Sequence, residues 1–349
     1  MSAADLVAIV LWAGLVLYAV LGGADFGGGF WDLLAGGDES GRRPRALIDL
    51  AIGPVWEANH TWLIFDLVLL WTAFPPAFAA VMSTLVVPLT LAAFGIVLRG
   101  SGFAFRKVVG RLAGARLFGA IFAVSSILTP FFLGAAIGAI ASGRVPPGNA
   151  AGELWASWLT PTSLLTGTLA VAGSAYLAGV YLVADAVRRG DAALERYFRR
   201  RALAAGLVAG ALALVGLGVL RSDARYLFDG LTSRGLPLVV LSAACGAVTL
   251  VLLARGSVHR ARALAVGAVA SIVAGWGIAQ YPDLLPGSLT LTAGAAPAGT
   301  LEALTVIAIV AALLIGPSLA LLFFLDQRNR LESEGEGYLS ALESGRRSR

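Results

Sequence analysis

The chain has 349 residues, of which 58% are hydrophobic and only 13% charged, where a soluble globular chain carries about a quarter charged residues. At a mean hydropathy of +0.82, so few charges cannot cover a water-soluble body of this size. Intrinsic disorder is excluded for the same reason, because apolar sequence of this density must be buried, and a bilayer is the medium that buries it.

One cysteine, Cys245, excludes an intrachain disulfide, an iron–sulfur cluster and a thiolate zinc site. His60, His259, Met1 and Met82 are the entire stock of imidazole and thioether ligands, so one bis-ligated haem is the most the chain could hold. The net charge of +5 resembles a nucleic-acid signal, but the placement of those charges, described next, assigns them to membrane orientation. No nucleic-acid partner is expected.

A helix needs about 20 apolar residues to cross a hydrocarbon core. Nine such runs are predicted, at roughly 5–34, 46–72, 77–99, 117–141, 162–187, 202–220, 236–254, 262–280 and 301–325. No basic segment precedes the first, and it is too long for a signal-peptide core, so it reads as a mature membrane helix. It holds Gly22, Gly23, Gly27, Gly28 and Gly29, which predict a bend or break. Phe74-Pro75-Pro76 separates the second run from the third. Residues 142–161 and 281–300 read as polar loops, and the chain closes on a charged tail from 326 to 349. Of the 26 lysines and arginines, 22 fall after the odd-numbered spans 1, 3, 5 and 7 or in the tail. By the positive-inside rule the N-terminus is then outside and the C-terminus cytoplasmic.

Ionisable residues inside a membrane are functional candidates by default. Asp25 lies in the first span, and Asp49, Glu57, His60 and Asp66 share the second. Trp56, Glu57, Asn59, His60 and Trp62 crowd the centre of that second span. Glu57 and His60 are i,i+3 neighbours, and Asp49, eleven residues before His60, is expected to face nearly the same way. Pro54 frees a backbone carbonyl between them. Such a column reads as a proton or ion path with Asp25 near its entry, or as a polar cluster locking helices together. His60 reads as a hydrogen-bonded imidazole or as a haem ligand with Met82. Arg99 and Arg106 close the third span either as interfacial anchors or as ion-pair partners of Asp25 or Asp49.

These residues resemble subunit II of the cytochrome bd quinol oxidases. The resemblance rests on Gly23-Ala-Asp-Phe-Gly-Gly-Gly-Phe30, Pro54-Val-Trp-Glu-Ala-Asn-His-Thr-Trp62, Arg99-Gly-Ser-Gly-Phe-Ala-Phe-Arg106 and the loop Tyr281-Pro-Asp-Leu-Leu-Pro-Gly-Ser-Leu-Thr290. Outside 22–106 and 280–305 it is mainly a match of hydropathy. It implies an all-α integral membrane fold of nine transmembrane helices, two four-helix bundles plus a peripheral helix, forming a single transmembrane domain in the bacterial inner membrane. It also implies a quinol:dioxygen oxidoreductase in which subunit I is the partner that ligates haem b and haem d and this chain ligates none. Quinol is the substrate, and the resemblance leaves room for membrane lipids and small single-helix subunits as further partners. Asp25 and Glu57 would be proton-path carboxylates joined by His60 and Asp49, with Trp56, Asn59, Trp62, Arg99 and Arg106 in support. The chain departs from the family pattern at Glu57 (usually Asp), His60 (commonly Glu or Gln), Ala104 (often acidic), and at a glycine where an Asp often opens the first motif. A proton-coupled secondary transporter is the alternative reading, although the polar motifs of the first three spans have no counterpart in spans five to seven.

Overall fold

A computed structural model describes residues 2–37, 39–53, 56–108 and 112–327 of the chain. Pro54 and the tail from 328 onward lie outside the described residues. The elements run α1 (Ala3–Leu33), α2 (Arg42–Ile52), α3 (Trp56–Ala73), α4 (Pro75–Thr84), α5 (Val86–Val108), α6 (Leu112–Ala141), α7 (Pro161–Arg188), α8 (Ala192–Asp223), α9 (Arg225–Thr232), α10 (Leu236–Ala254) and α11 (Val258–Gln280). A small antiparallel hairpin follows, β1 (Asp283–Leu285) paired with β2 (Leu289–Thr290), then α12 (Leu291–Gly294) and α13 (Ala298–Gln327). The stretch from 281 to 300 is therefore structured rather than a plain loop.

Local chemistry accounts for the helix boundaries. Ser2 caps α1 with Asp5 reciprocating, its Oγ accepting from the Asp5 amide while the Asp5 carboxylate accepts from the Ser2 amide. Thr160 caps α7 ahead of Pro161, and Asp191 caps α8. Eight helices among the described residues are long and apolar enough to cross a membrane. The second run of the sequence reading is not among them. It is broken at Gly53 into the short, arginine-rich α2 and the 18-residue α3. Glu57, Asn59, His60 and Asp66 make α3 less apolar than the other long helices, yet at 1.5 Å per residue it still spans about 27 Å. Its Trp56 packs in the cluster of Trp31, Ile48 and Phe122, and its Ala73 in the cluster of Ala4, Val7 and Leu291. α3 thus runs antiparallel to α1 from one end of the protein to the other.

The break predicted in the first run is absent, for α1 is continuous over 31 residues. The glycines serve close approach instead. A Cβ at Gly27 would lie 1.9 Å from the Ser174 carbonyl on α7, one at Gly28 would lie 2.4 Å from Ile52 Cδ1 on α2, and one at Gly29 would lie 2.1 Å from Ser126 Oγ on α6. Three successive residues meet three different elements, and residues 25–29 of α1 are all buried.

α1 packs against α3, α6, α7, α11 and α13 and is the hub of the molecule. Contacts link α3, α1, α6 and α5 into one group and α8, α7, α11 and α10 into a second, while α13 rests on α1 and α3 at the edge. α7 also packs extensively on α1 and α6, so the two groups share one continuous interface instead of standing apart as the expected pair of four-helix bundles, while α13 is peripheral. The outer faces are apolar, as with Leu214 on α8 (72% exposed) and Leu313 on α13 (70%), a surface suited to hydrocarbon rather than water.

The connections divide between two ends. At one, Arg43 meets Asp191 at 2.5 Å, Arg45 and Arg106 meet Asp32, and Arg262 stacks on Tyr181. At the other, Arg144 meets Asp223 at 2.7 Å, the Tyr281 hydroxyl donates to Asp5, and the Ala296 amide donates to the Ala73 carbonyl. The segments that follow odd-numbered spans share the first end, as the charge distribution requires.

Candidate functional site

The site is a buried polar column along α1. Asp25 and Asp32 are seven residues apart, two helical turns and about 10 Å, on one face of α1. Arg99 and Arg106 have the same spacing on α5, which runs in the same direction, so the two helices present matching rungs. Arg99 donates to Asp25 Oδ1 at 2.8 Å and to the Asp25 carbonyl at 3.2 Å, and its Nε donates to Ser126 Oγ on α6 at 3.0 Å. Its side chain has no solvent exposure. The guanidinium lies 5.2 Å from the Phe26 ring centroid and 5.0 Å from that of Phe122, so aromatic faces take part of its charge.

Arg106 forms the second rung, donating to Asp32 Oδ2 at 2.6 Å and pairing with Asp49 on α2. Its guanidinium sits over Phe122 at 4.3 Å. Arg45 completes the cluster by donating to Asp32 Oδ1 at 3.0 Å. Two arginines and two aspartates thus close the end of the column next to the Arg43–Asp191 pair. Asp32 was not singled out in the sequence, although its seven-residue offset from Asp25 matches the offset of Arg106 from Arg99.

In the other direction the column passes to α3. The Tyr18 hydroxyl lies 3.4 Å from His60 Nδ1, and the imidazole packs between the Tyr18 and Phe26 rings at 6.0 and 5.6 Å. A hydroxyl partner and two flanking rings suit a hydrogen-bonded imidazole. Trp56 packs on Phe103 at 5.8 Å, and Asn59 and Asp66 are buried on the face of α3 turned to α1. Trp62 stands edge-on to Phe65.

Two expected alignments fail. Because the chain breaks at Gly53, Asp49 and His60 belong to different helices, Asp49 meeting Arg106 and His60 meeting Tyr18. Glu57 does not join His60. It lies in the first turn of α3 rather than mid-helix, and its side chain is exposed on the outer face. The exposed positions Glu57, Thr61, Ile64, Val68 and Trp71 recur at helical spacing and form one stripe down α3. Arg99 and Arg106 prove to be ion-pair partners rather than anchors, serving Asp25 and Asp49 respectively.

The family model for cytochrome bd terminal oxidase subunit II matches residues 3–325. The chain belongs to that family. The bd oxidase of Geobacillus thermodenitrificans has a chain that superimposes with a TM-score of 0.79 at 26% identity, covering 93% of this subunit II and 98% of its counterpart. Cytochrome bd ubiquinol oxidase subunit 2 of Bacillus subtilis (strain 168) is 33% identical over 129 residues, 36% of this chain and 37% of that protein. A second subunit II of the cytochrome bd type from the same organism is 21% identical over 226 residues, 64% of each chain. The alignments with these curated relatives thus span less than two thirds of their lengths.

Family membership settles the class. This subunit II is a multi-pass protein of the bacterial inner membrane and part of a terminal oxidase, not a secondary transporter. The Asp25–Arg99 and Asp32–Arg106 rungs lie within the residues that carried the resemblance or directly beside them.

Proposed function

We propose that the chain acts as the non-haem-ligating subunit of a quinol:dioxygen oxidoreductase, paired with a subunit I that holds haem b and haem d, and that its polar column moves protons toward those haems. The haems supply electron transfer and dioxygen reduction when subunit I is present. The roles assigned to this chain are to hold the assembly and to carry protons. The observation that carries this reading is the pair of buried Asp–Arg rungs in register along α1 and α5, Asp32–Arg106 and then Asp25–Arg99.

The positive-inside rule puts the arginine-rich end in the cytoplasm. Protons then enter at the Asp32 and Asp49 carboxylates, which Arg106 holds in place, and reach Asp25 about 10 Å deeper. The arginines hold the aspartate side chains in place, so each carboxylate stays aimed along the column without swinging away. His60, hydrogen-bonded to Tyr18, continues the route beyond Asp25. Glu57 has a different place. Ionisable groups of spanning helices face protein or water rather than lipid, so the exposed Glu57 stripe of α3 is the surface offered to subunit I, where the carboxylate hands protons across the interface.

Replacing Glu57 by Ala tests this directly. Quinol oxidase turnover of the purified complex should fall by about tenfold, short of the roughly hundredfold loss expected for a group acting in the chemical step itself. The complex should still assemble, with haem d incorporation read from the visible spectrum. Unchanged turnover together with an unchanged spectrum would remove Glu57 from the route.

A further inference from the structure

One face of α3 carries polar atoms that the column does not use. Asn59 Oδ1, Trp62 Nε1 and both carboxylate oxygens of Asp66 are buried without a hydrogen-bond partner. Positions 59, 62 and 66 recur at helical spacing, so these atoms form a single stripe about 10 Å long. Asn59 is 3% exposed and Asp66 4%. The stripe faces α1 where that helix has least bulk, for a Cβ at Gly14 would lie 2.0 Å from Asp66 Oδ1. Native proteins seldom bury a polar side chain unpaired, and when no protein group answers it, ordered water does.

The chemistry of the stripe fits water and little else. Trp62 offers only a donor, while Asn59 and Asp66 offer acceptors one turn to either side, and water is the small ligand that serves both kinds. No basic side chain among the described residues pairs with Asp66. Toward the Asp25–Arg99 pair, His60 on α3 and Tyr18 on α1 face each other. Nothing on α1 opposite Asp66 neutralises it, for the residue there is Gly14.

We propose that Asn59, Trp62 and Asp66 form an internal hydration site between α1 and α3, separate from the Asp25–Arg99 pair, in which bound water delivers a proton to Asp66. The step is a simple transfer: a hydronium ion gives up one O–H bond, the carboxylate gains one, and neutral water stays held by Trp62 and Asn59. The site extends the proton column past His60 into the half of the bundle remote from Arg106, and to that extent it rests on the proton-path reading.

Infrared spectroscopy of the intact oxidase complex, compared in H2O and D2O, tests the site through the carbonyl stretch of a protonated carboxyl group. The unmodified complex should show such a band, and it should move on exchange into D2O because water reaches the group. Asp66→Asn should remove it. Trp62→Phe keeps the carboxyl and the ring but deletes the N–H donor, so the band should persist at a changed frequency, which keeps the proposal decidable if Asp66→Asn does not assemble. A spectrum identical in unmodified and Asp66→Asn complexes, a band that D2O never moves, or a Trp62→Phe band unchanged in frequency would each overturn it. Glu57→Ala should leave this band in place whatever it does to turnover, so the two readings fail separately.

Discussion

Arg99 is fully enclosed, and each of its contacts answers a need created by that burial. Asp25 neutralises it, Ser126 and the Asp25 carbonyl take two of its N–H groups, and Phe26 and Phe122 flank the guanidinium. Removing one member of such a pair leaves an uncompensated charge and costs about 3–5 kcal/mol, whereas replacing both by apolar groups is often close to neutral. Arg99→Leu should therefore lower the thermal stability of the complex sharply, and Arg99→Leu combined with Asp25→Leu should recover most of the loss while still abolishing the rung. A double variant as unstable as the single one would show that Arg99 is held by something other than Asp25. At this scale the sequence was partly readable. Intramembrane acids and terminal arginines mark themselves by the cost of putting them there, which is why Asp25, Asp49, Arg99 and Arg106 could be named, but pairing depends on how two helices are set against each other. Asp32 lies two residues from the end of the first apolar run, and what marks it is the seven-residue spacing it shares with the Arg99–Arg106 pair.

At the scale of elements, hydropathy located the crossings and missed the breaks. The run from 46 to 72 reads as one helix because an average over a window cannot see that the chain turns at Gly53. The consequence is large, for the turn moves Glu57 from the middle of a helix to its first turn and separates Asp49 from His60. Glycines misled in the opposite sense. In α1 they predicted a bend, whereas Gly27, Gly28 and Gly29 let three neighbours approach a continuous helix. Caps, by contrast, are short-range. Asp191 accepts from the Ala193 and Leu194 amides at 3.1 and 3.0 Å and from Arg43. The Leu194 amide first, and the Arg43 guanidinium after it, hold its carboxyl below the ordinary carboxylate range. A carboxyl lowered in the folded state stabilises above its ordinary value of about 4 and loses that contribution as pH falls through the folded value. Hydrogen exchange at the start of α8, corrected for intrinsic rates, should therefore quicken below about pH 4. Asp191→Ala should fray the same turn at every pH, at a cost of about 1 kcal/mol, and flatten the dependence. A cap as acid-sensitive in the variant as in the natural chain would point to a different group.

For the whole molecule, the alternation of arginines along the chain predicted which connections share an end, and the contacts agree. Arg43 reaches Asp191 across connections that follow the first and fifth spans, and Arg144 reaches Asp223 across those that follow the fourth and sixth. Which end faces the cytoplasm is an inference from charge alone, and labelling decides it. In a Cys245→Ser background, Ser257→Cys at the arginine-rich end should react with an impermeant thiol reagent only from the cytoplasmic side, and Ser288→Cys only from the outside. The reverse pattern would invert the proton route. The central position of α1 also orders events during synthesis. Asp25 enters the bilayer 74 residues before the Arg99 that neutralises it, and Asp32 precedes Arg106 by the same interval. Arg45 can answer Asp32 only 13 residues later, but at about 5–20 residues per second the newborn hub waits roughly 4–15 s with Asp25 unanswered. Its long apolar stretch must hold it in the membrane through that interval, so the helix around which everything else assembles is also the one most dependent on the insertion machinery for shelter.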